Sequence, residues 1–213
     1  MARRSTRAPR FSRLADLRTF AARHPGDQAG IRLHGDPALS ALLKHGPLCA
    51  IAAHHLGPAA CPVRAIRFDK TATTNWALGW HQDRTICVKE RREVEGFGPW
   101  TMKRRMNHVS PPQDLLSKMV TLRVHLDDVP EANAPLLIAP GSHNLGRVAE
   151  NEIDAAVKRC GVRTCLAREG DVWLYATPIL HASDASLSPQ SRRVLQVDYA
   201  AFNLPSGLEW LGV

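Results

Sequence analysis

The run Gly79-Trp80-His81-Gln82-Asp83-Arg84 sets a histidine and a carboxylate two positions apart. On a β-strand, residues i and i+2 point to the same face, so His81 and Asp83 can converge on one ion. A lone H-x-D tripeptide is weak evidence, and a second one, His125-Leu126-Asp127, competes with it. A distant histidine raises the value of the first. Leu180-His181-Ala182-Ser183 follows the β-like run Asp171–Ala176. An imidazole and a carboxylate joined by a second imidazole form the three-ligand set that leaves coordination positions open on a non-haem Fe(II) ion. Arg192 lies eleven residues after His181, at the start of another β-like run. Its planar fork could clamp a carboxylate through two parallel hydrogen bonds if the two residues face one pocket across a hairpin.

Such ligands need a rigid frame. The first third of the chain reads as helical: Phe11, Leu14, Leu17 and Phe20 recur at three-residue spacing, Asp36-Pro37 signals a helix start before Ala38–Leu43, and Leu48–Leu56 follows the Gly46-Pro47 break. From residue 63 onward the pattern changes to short β-like runs at Val63–Phe68, Thr85–Lys89, Met119–Leu126, Leu136–Ala139, Asp171–Ala176 and Arg193–Ala200, with turn residues between them. One more helix fits Asn151–Arg159. Helices gathered at the front of many short strands predict a mainly β fold, a jelly roll with N-terminal helices packed on it. There is no internal repeat or low-complexity linker, so residues 1–213 are expected to form a single domain, with 1–10 a flexible basic terminus.

Bulk composition removes several function classes. At 44% hydrophobic and 23% charged residues the chain is ordinary for a soluble globular protein, and no apolar run approaches the roughly 20 residues that span a bilayer. Neither secretory-signal architecture nor a C-x-x-C pair is present, and five cysteines suit reduced thiols in the cytoplasm. A net charge of +8 would suit a nucleic acid, but there is no zinc-finger spacing and no interleaving of aromatic and basic residues, so nonspecific surface charge is the preferred reading.

The order of motifs resembles the phytanoyl-CoA dioxygenase-like branch of the Fe(II)/2-oxoglutarate oxygenases. The resemblance is carried by Phe68-Asp69-Lys70, Asn75-Trp76, Trp80-His81-Gln82-Asp83, Leu126-Asp127-Asp128, Pro140-Gly141-Ser142-His143, Leu180-His181-Ala182-Ser183 and Arg192-Arg193. It implies a double-stranded β-helix of the cupin-like type, Fe(II) held by His81, Asp83 and His181, and 2-oxoglutarate and O2 as cosubstrates. The far carboxylate of 2-oxoglutarate would meet Arg192, helped by Ser183, with Gln82 and Trp100 as further pocket residues. A small-molecule substrate and hydroxylation are the expected outcome. Halogenating relatives have a small residue where this chain has Asp83. With little sequence beyond the core, an elaborate acyl-CoA surface is not expected.

Several residues carry rival readings. His125-Leu126-Asp127 falls on the family's structural strand and turn. His143 is expected to shape a turn near the pocket, and His54-His55 to lie on a helix surface or in packing. Arg193 competes with Arg192, but neighbours on a strand face opposite ways and the family position favours Arg192. Trp76 and Trp80 can fill core, the preferred reading for Trp76, and Lys70 can line the pocket or snorkel on the surface. The stretch Glu90–His108 reads as a long basic loop, a lid or binding loop whose Arg91, Arg92, Lys103, Arg104 and Arg105 hint at an anionic substrate or are simply solvated. Two other classes remain: a cupin-like metal protein with redox-neutral or ligand-binding chemistry, which has no need of the Arg192 clamp, and a basic nucleic-acid module without activity.

Overall fold

The computed structural model describes residues 11–24, 28–187 and 191–213, so the expected flexible terminus at 1–10 lies outside the described residues. Helix α1 (Leu14–Ala22) is followed by strand β1 (Gly30–Leu33), then α2 (Pro37–His45) and α3 (Pro47–Leu56). The Asp36 carboxylate accepts the Leu39 N–H at 2.9 Å and Pro37 occupies the first turn, which starts α2 as the sequence reading expects. Gly46 joins α2 to α3; a Cβ there would stand 2.2 Å from the Leu42 carbonyl oxygen, so the close approach requires glycine.

The remaining chain winds between sheets. β2 (Cys61–Lys70), β7 (Val120–His125), β10 (Val172–Ala176) and β12 (Arg192–Ala200) join β1 in a five-stranded sheet of order β1-β2-β12-β7-β10. β3 (Leu78–His81), β8 (Leu136–Ile138), β9 (Arg163–Cys165) and β11 (His181–Ser183) make a four-stranded sheet of order β3-β11-β8-β9. All pairings are antiparallel. With β1 set aside, four strands face four in the double-stranded β-helix that the resemblance implies.

Two expectations are corrected here. The stretch Glu90–His108 is not a structureless loop: β5 (Trp100–Lys103) and β6 (Met106–Val109) form a hairpin that joins β4 (Ile86–Val88) in a third sheet, packed on its own apolar cluster with Val63, Phe97 and Leu116. Nor do His181 and Arg192 face each other across a hairpin, because β11 belongs to the smaller sheet and β12 to the larger one. The sequence reading also passed over β1, β9 and the short α4 (Gln113–Ser117), and placed the last helix at Asn151–Arg159 where α5 spans Ile153–Cys160.

The period-two alternation of β12 divides the molecule. Leu195, Val197 and Tyr199 pack outward with Leu122, Val124 and Ala65 against Leu39, Leu43 and Leu48 of the helices. The Tyr199 hydroxyl donates to the Leu43 carbonyl at 3.0 Å and anchors α2 to the sheet. Arg192, Gln196 and Asp198 point the other way, toward the smaller sheet. Arg193, one residue from Arg192, turns outward and pairs with Asp127 through Nε at 2.9 Å and a terminal nitrogen at 2.6 Å.

One buried hydroxyl fixes the approach to the smaller sheet. Ser142, in the 3-10 turn Ser142–Leu145, is fully buried, and its Oγ accepts the Leu180 N–H at 2.8 Å, one residue before His181. Ser142→Ala leaves that N–H unpaired and should cost about 1–3 kcal/mol of stability, read as a lower urea midpoint at unchanged slope.

Candidate metal centre and cosubstrate pocket

His81 closes β3 and sits directly opposite His181, the first residue of β11, so antiparallel register alone brings the two imidazoles together, with ring centroids 4.2 Å apart. Asp83 lies just past the end of β3 rather than on the strand. One ligand atom from each of His81, Asp83 and His181 falls within 4.8 Å of the others, the only such trio among the described residues. The rival His125 is buried on β7 with both ring nitrogens unpartnered and belongs to no such group.

Hydrogen bonding orients all three side chains. Nδ1 of His81 is 2.8 Å from the Gly79 carbonyl, and Nδ1 of His181 is 2.9 Å from the Ile179 carbonyl. A carbonyl only accepts, so each Nδ1 carries the proton and each Nε2 presents a lone pair, the tautomer a metal requires. Burial lowers the pKa of His181 to about 4, which keeps it neutral near pH 7. Asp83 uses Oδ2 to accept from Arg64 at 3.1 Å and from Gln196 at 3.3 Å, leaving its other oxygen for an ion. Burial opposes the charge on Asp83, but Arg64, His181 and His81 outweigh it and hold its pKa below the ordinary carboxylate value. Two imidazoles whose Nδ1 atoms are engaged by backbone carbonyls and an ionised carboxylate fit a divalent first-row metal with open positions.

The trio stands in a cavity of about 390 Å³ between the two large sheets. At one end, Arg192 is almost wholly buried. One of its terminal nitrogens donates to the Ala134 carbonyl and lies 3.4 Å from Ser183 Oγ, while its Nε has no partner. Ser183 is two residues beyond His181 on β11, so the guanidinium meets the strand roughly 7 Å from His181. Lys70, directly opposite Arg192 in register, donates to Ser183 Oγ at 3.1 Å and to the Asp184 carbonyl. Burial beside Arg192 and Arg123 lowers its pKa to about 7. Lys70 is thus a cavity residue and not a surface lysine. Its ammonium lies 5.0 Å from the centre of the Trp76 ring, and Trp76 lines the same cavity instead of filling core.

The remaining expected residues fall differently. Gln82 lines the cavity, but its amide is fully committed: it donates to the Gly146 and Pro178 carbonyls at 2.9 Å and accepts from the Val148 N–H at 2.9 Å. Its evident work is to brace the segments flanking the site. Trp100 is not on the cavity wall; it packs with the third sheet's apolar cluster, with Arg91 5.7 Å from its ring centre. Trp80 packs on the cluster of Ala139, Val148 and Leu180, and His54 and His55 are exposed on α3. His143 lies in the turn with Ser142.

Sequence reasoning missed Arg64, Arg123 and Gln196. Arg123 is 5% exposed, stacks 5.3 Å from the centre of the Phe68 ring, lies beside Tyr175 and donates to Gln196 Oε1 at 3.4 Å, with no carboxylate bonded to it among the described residues. A signal existed: Arg64, Ile66, Phe68 and Lys70 alternate with Ala65 and Arg67 on one strand, so polar residues occupy positions that face the cavity.

Known structures share this architecture. EctD from S. alaskensis, solved with 2-oxoglutarate and 5-hydroxyectoine, superposes with a TM-score of 0.66 at 16% identity, covering 99% of this chain and 74% of its own. AviO1 from Streptomyces viridochromogenes Tue57 gives 0.60 at 20% identity, with 93% and 86% covered. HygX from Streptomyces hygroscopicus, solved with nickel, 2-oxoglutarate and hygromycin B, gives 0.57 at 17%, with 89% and 79% covered. Other similar structures are longer: this chain spans 69% of EctD in its apoform and 44% of EvdMO1. No curated protein sequence matches. Residues 2–194 match the family described as Phytanoyl-CoA dioxygenase (PhyH), and with that share of its length covered the chain belongs to this family of Fe(II)/2-oxoglutarate oxygenases.

Proposed function

We propose that residues 1–213 act as one Fe(II)- and 2-oxoglutarate-dependent dioxygenase domain that hydroxylates an unactivated C–H bond of a small, anionic molecule, with release of succinate and CO2. The observation that carries this reading is the pairing, within one cavity, of the His81–Asp83–His181 trio with a buried guanidinium that reaches Ser183, two residues beyond His181. A redox-neutral metal protein has no use for that arginine. In this reading the three ligands hold iron, and the bound iron, 2-oxoglutarate and O2 supply the oxidising chemistry. The chain's own residues orient and enclose. Gly79 and Ile179 carbonyls fix the imidazole tautomers, Arg64 and Gln196 aim Asp83, and Arg192 with Ser183 receives the far carboxylate of the diacid. Gln82 acts at one remove, through the segments it ties together. The cysteines of the described residues are all free, which suits a cytoplasmic enzyme.

Anaerobic loading with Fe(II) and 2-oxoglutarate, followed by a metabolite screen for accelerated succinate release, tests the activity; a product one oxygen heavier, labelled from 18O2, identifies hydroxylation. His81→Ala and His181→Ala should abolish Fe(II) binding and turnover, whereas His125→Ala should keep the metal, as read by equilibrium dialysis. Arg192→Ala should weaken 2-oxoglutarate by two to four powers of ten, about 3–5 kcal/mol, with Arg193→Ala near wild type. Equal losses in the two variants would refute the facing assigned to β12.

Lys70 makes cosubstrate binding depend on pH. Its pKa of about 7 means the free ammonium loses its proton as pH rises through neutrality, and a bound carboxylate favours the charged form. The groups facing it are Arg192 and Arg123, which oppose its charge, and Asp184, which favours it. Affinity for 2-oxoglutarate should therefore rise several-fold from pH 8 to pH 6, and Lys70→Met should flatten that slope in calorimetric titrations.

A further inference from the structure

Apart from Arg64, held by Asp83 and Asp198, and Arg84, held by the Val148 carbonyl and Glu150, the cationic groups of the cavity form two sets. Arg192, Lys70 and Arg123 gather around the end assigned to the cosubstrate. Arg32 on β1 and Lys103 on the β5–β6 hairpin line the same cavity elsewhere. Register gives the separation. Arg32 pairs with Ile66, Ile66 pairs with Gln196, and Arg192 lies four residues from Gln196 along β12. Two strand spacings and four residue rises put Arg32 and Arg192 roughly 16 Å apart along the sheet, too far for one five-carbon diacid that also chelates the metal to answer both.

Arg32 is not neutralised from within. Its Nε is buried without a hydrogen-bond partner, and no carboxylate is bonded to its guanidinium among the described residues. The charged groups around it are Arg64, Arg104 and Asp83. Of these, Arg64 is occupied by Asp198 at 2.5 Å and Asp83 at 3.1 Å, and Asp83 is a metal ligand. The hairpin adds positive charge on the same side. Arg104 and Arg105 form its tip with φ of 51° and 62°, the left-handed pair of a two-residue hairpin turn usually made by Asn and Gly. Arg104 donates to Gln28 Oε1 at 2.7 Å, which holds the tip beside the residues that lead into β1 and leaves Lys103 on the cavity wall.

We propose that Arg32 and Lys103 form the receptor for an oxyanion of the primary substrate, a carboxylate or a phosphate, and so fix which C–H bond lies over the metal. This rests on the oxygenase reading above for the word substrate, while the anion site itself stands on the geometry of β1 and the hairpin. A guanidinium with unused donors binds either oxyanion through paired charge-assisted hydrogen bonds, and the ammonium adds a second charge at the mouth. A neutral substrate would leave the buried Arg32 nitrogen unpaired, which selects against it.

The test uses the full chain loaded with Ni(II), titrated calorimetrically with inorganic phosphate and separately with acetate, with and without saturating 2-oxoglutarate. At least one probe should bind saturably and equally well in both conditions. Arg32→Gln should weaken that probe about tenfold and Lys103→Gln about threefold, with 2-oxoglutarate affinity unchanged in both, while Arg32→Lys should recover part of the loss. A phosphate-only or acetate-only result supports the site and tells which oxyanion it takes. The proposal is overturned if neither probe binds, if 2-oxoglutarate displaces the probe, or if Arg192→Gln abolishes probe binding and Arg32→Gln does not. An Arg192→Gln variant that keeps full 2-oxoglutarate affinity would instead overturn the cosubstrate assignment and leave the anion site standing.

Discussion

A guanidinium removed from water is stabilised by negative charge, and Arg64 meets it on two sides. Its Nε donates to Asp198, which is also held by Thr121, and a terminal nitrogen donates to Asp83. This bridge runs from the middle of the larger sheet to the residue just past β3 of the smaller one, so it sets the distance between the sheets where the metal trio forms. It also lets Asp83 stay ionised in a site whose burial disfavours the charge. Without Arg64, two carboxylates would face each other across the cavity with nothing between them. The geometry of the His81–Asp83–His181 trio therefore depends on a residue outside it.

The same arrangement explains how one strand serves both stability and chemistry. On β12 the outward residues Leu195, Val197 and Tyr199 bury against the helices, which supplies the hydrophobic free energy that lets the inward residues be polar. Arg192, Gln196 and Asp198 use that allowance at three depths: beside Ser183, beside Asp83 and beside Arg64. A slip of one residue would exchange the two sets, placing Arg193 in the cavity and the leucine and valine over the ligands. The bidentate Arg193–Asp127 pair on the outer side holds the register against that slip.

What could be read in the sequence follows from range. His81, Asp83, His181 and the facing of Arg192 over Arg193 rest on i,i+2 alternation and on motif order, and the strands at 120–125, 172–176 and 192–200 announce themselves by β-branched and aromatic runs. Pairing between distant strands leaves no local mark. The direct opposition of His81 and His181 across β3 and β11, and the placement of Arg192 on the other sheet from His181, arise from register alone. Trp100 and Trp76 exchanged expected roles for the same reason. Each is an aromatic residue near polar neighbours in sequence, and only tertiary packing sends Trp76 to the cavity and Trp100 to the apolar cluster of the third sheet.

Gln82 shows a different limit. It stands between His81 and Asp83, and motif order suggested contact with the cosubstrate, yet its amide, though on the cavity wall, is satisfied by three backbone groups from residues 146, 148 and 178. An amide with all its strong bonds made has little to offer a ligand and much to offer a frame. The converse holds for the arginines. Arg32, Arg123 and Arg192 each retain a buried Nε without a partner, an arrangement too costly to be favoured by folding alone. In this cavity unused donors mark binding surface and fully used ones mark scaffold, and that distinction separates residues that the sequence presents as equally polar.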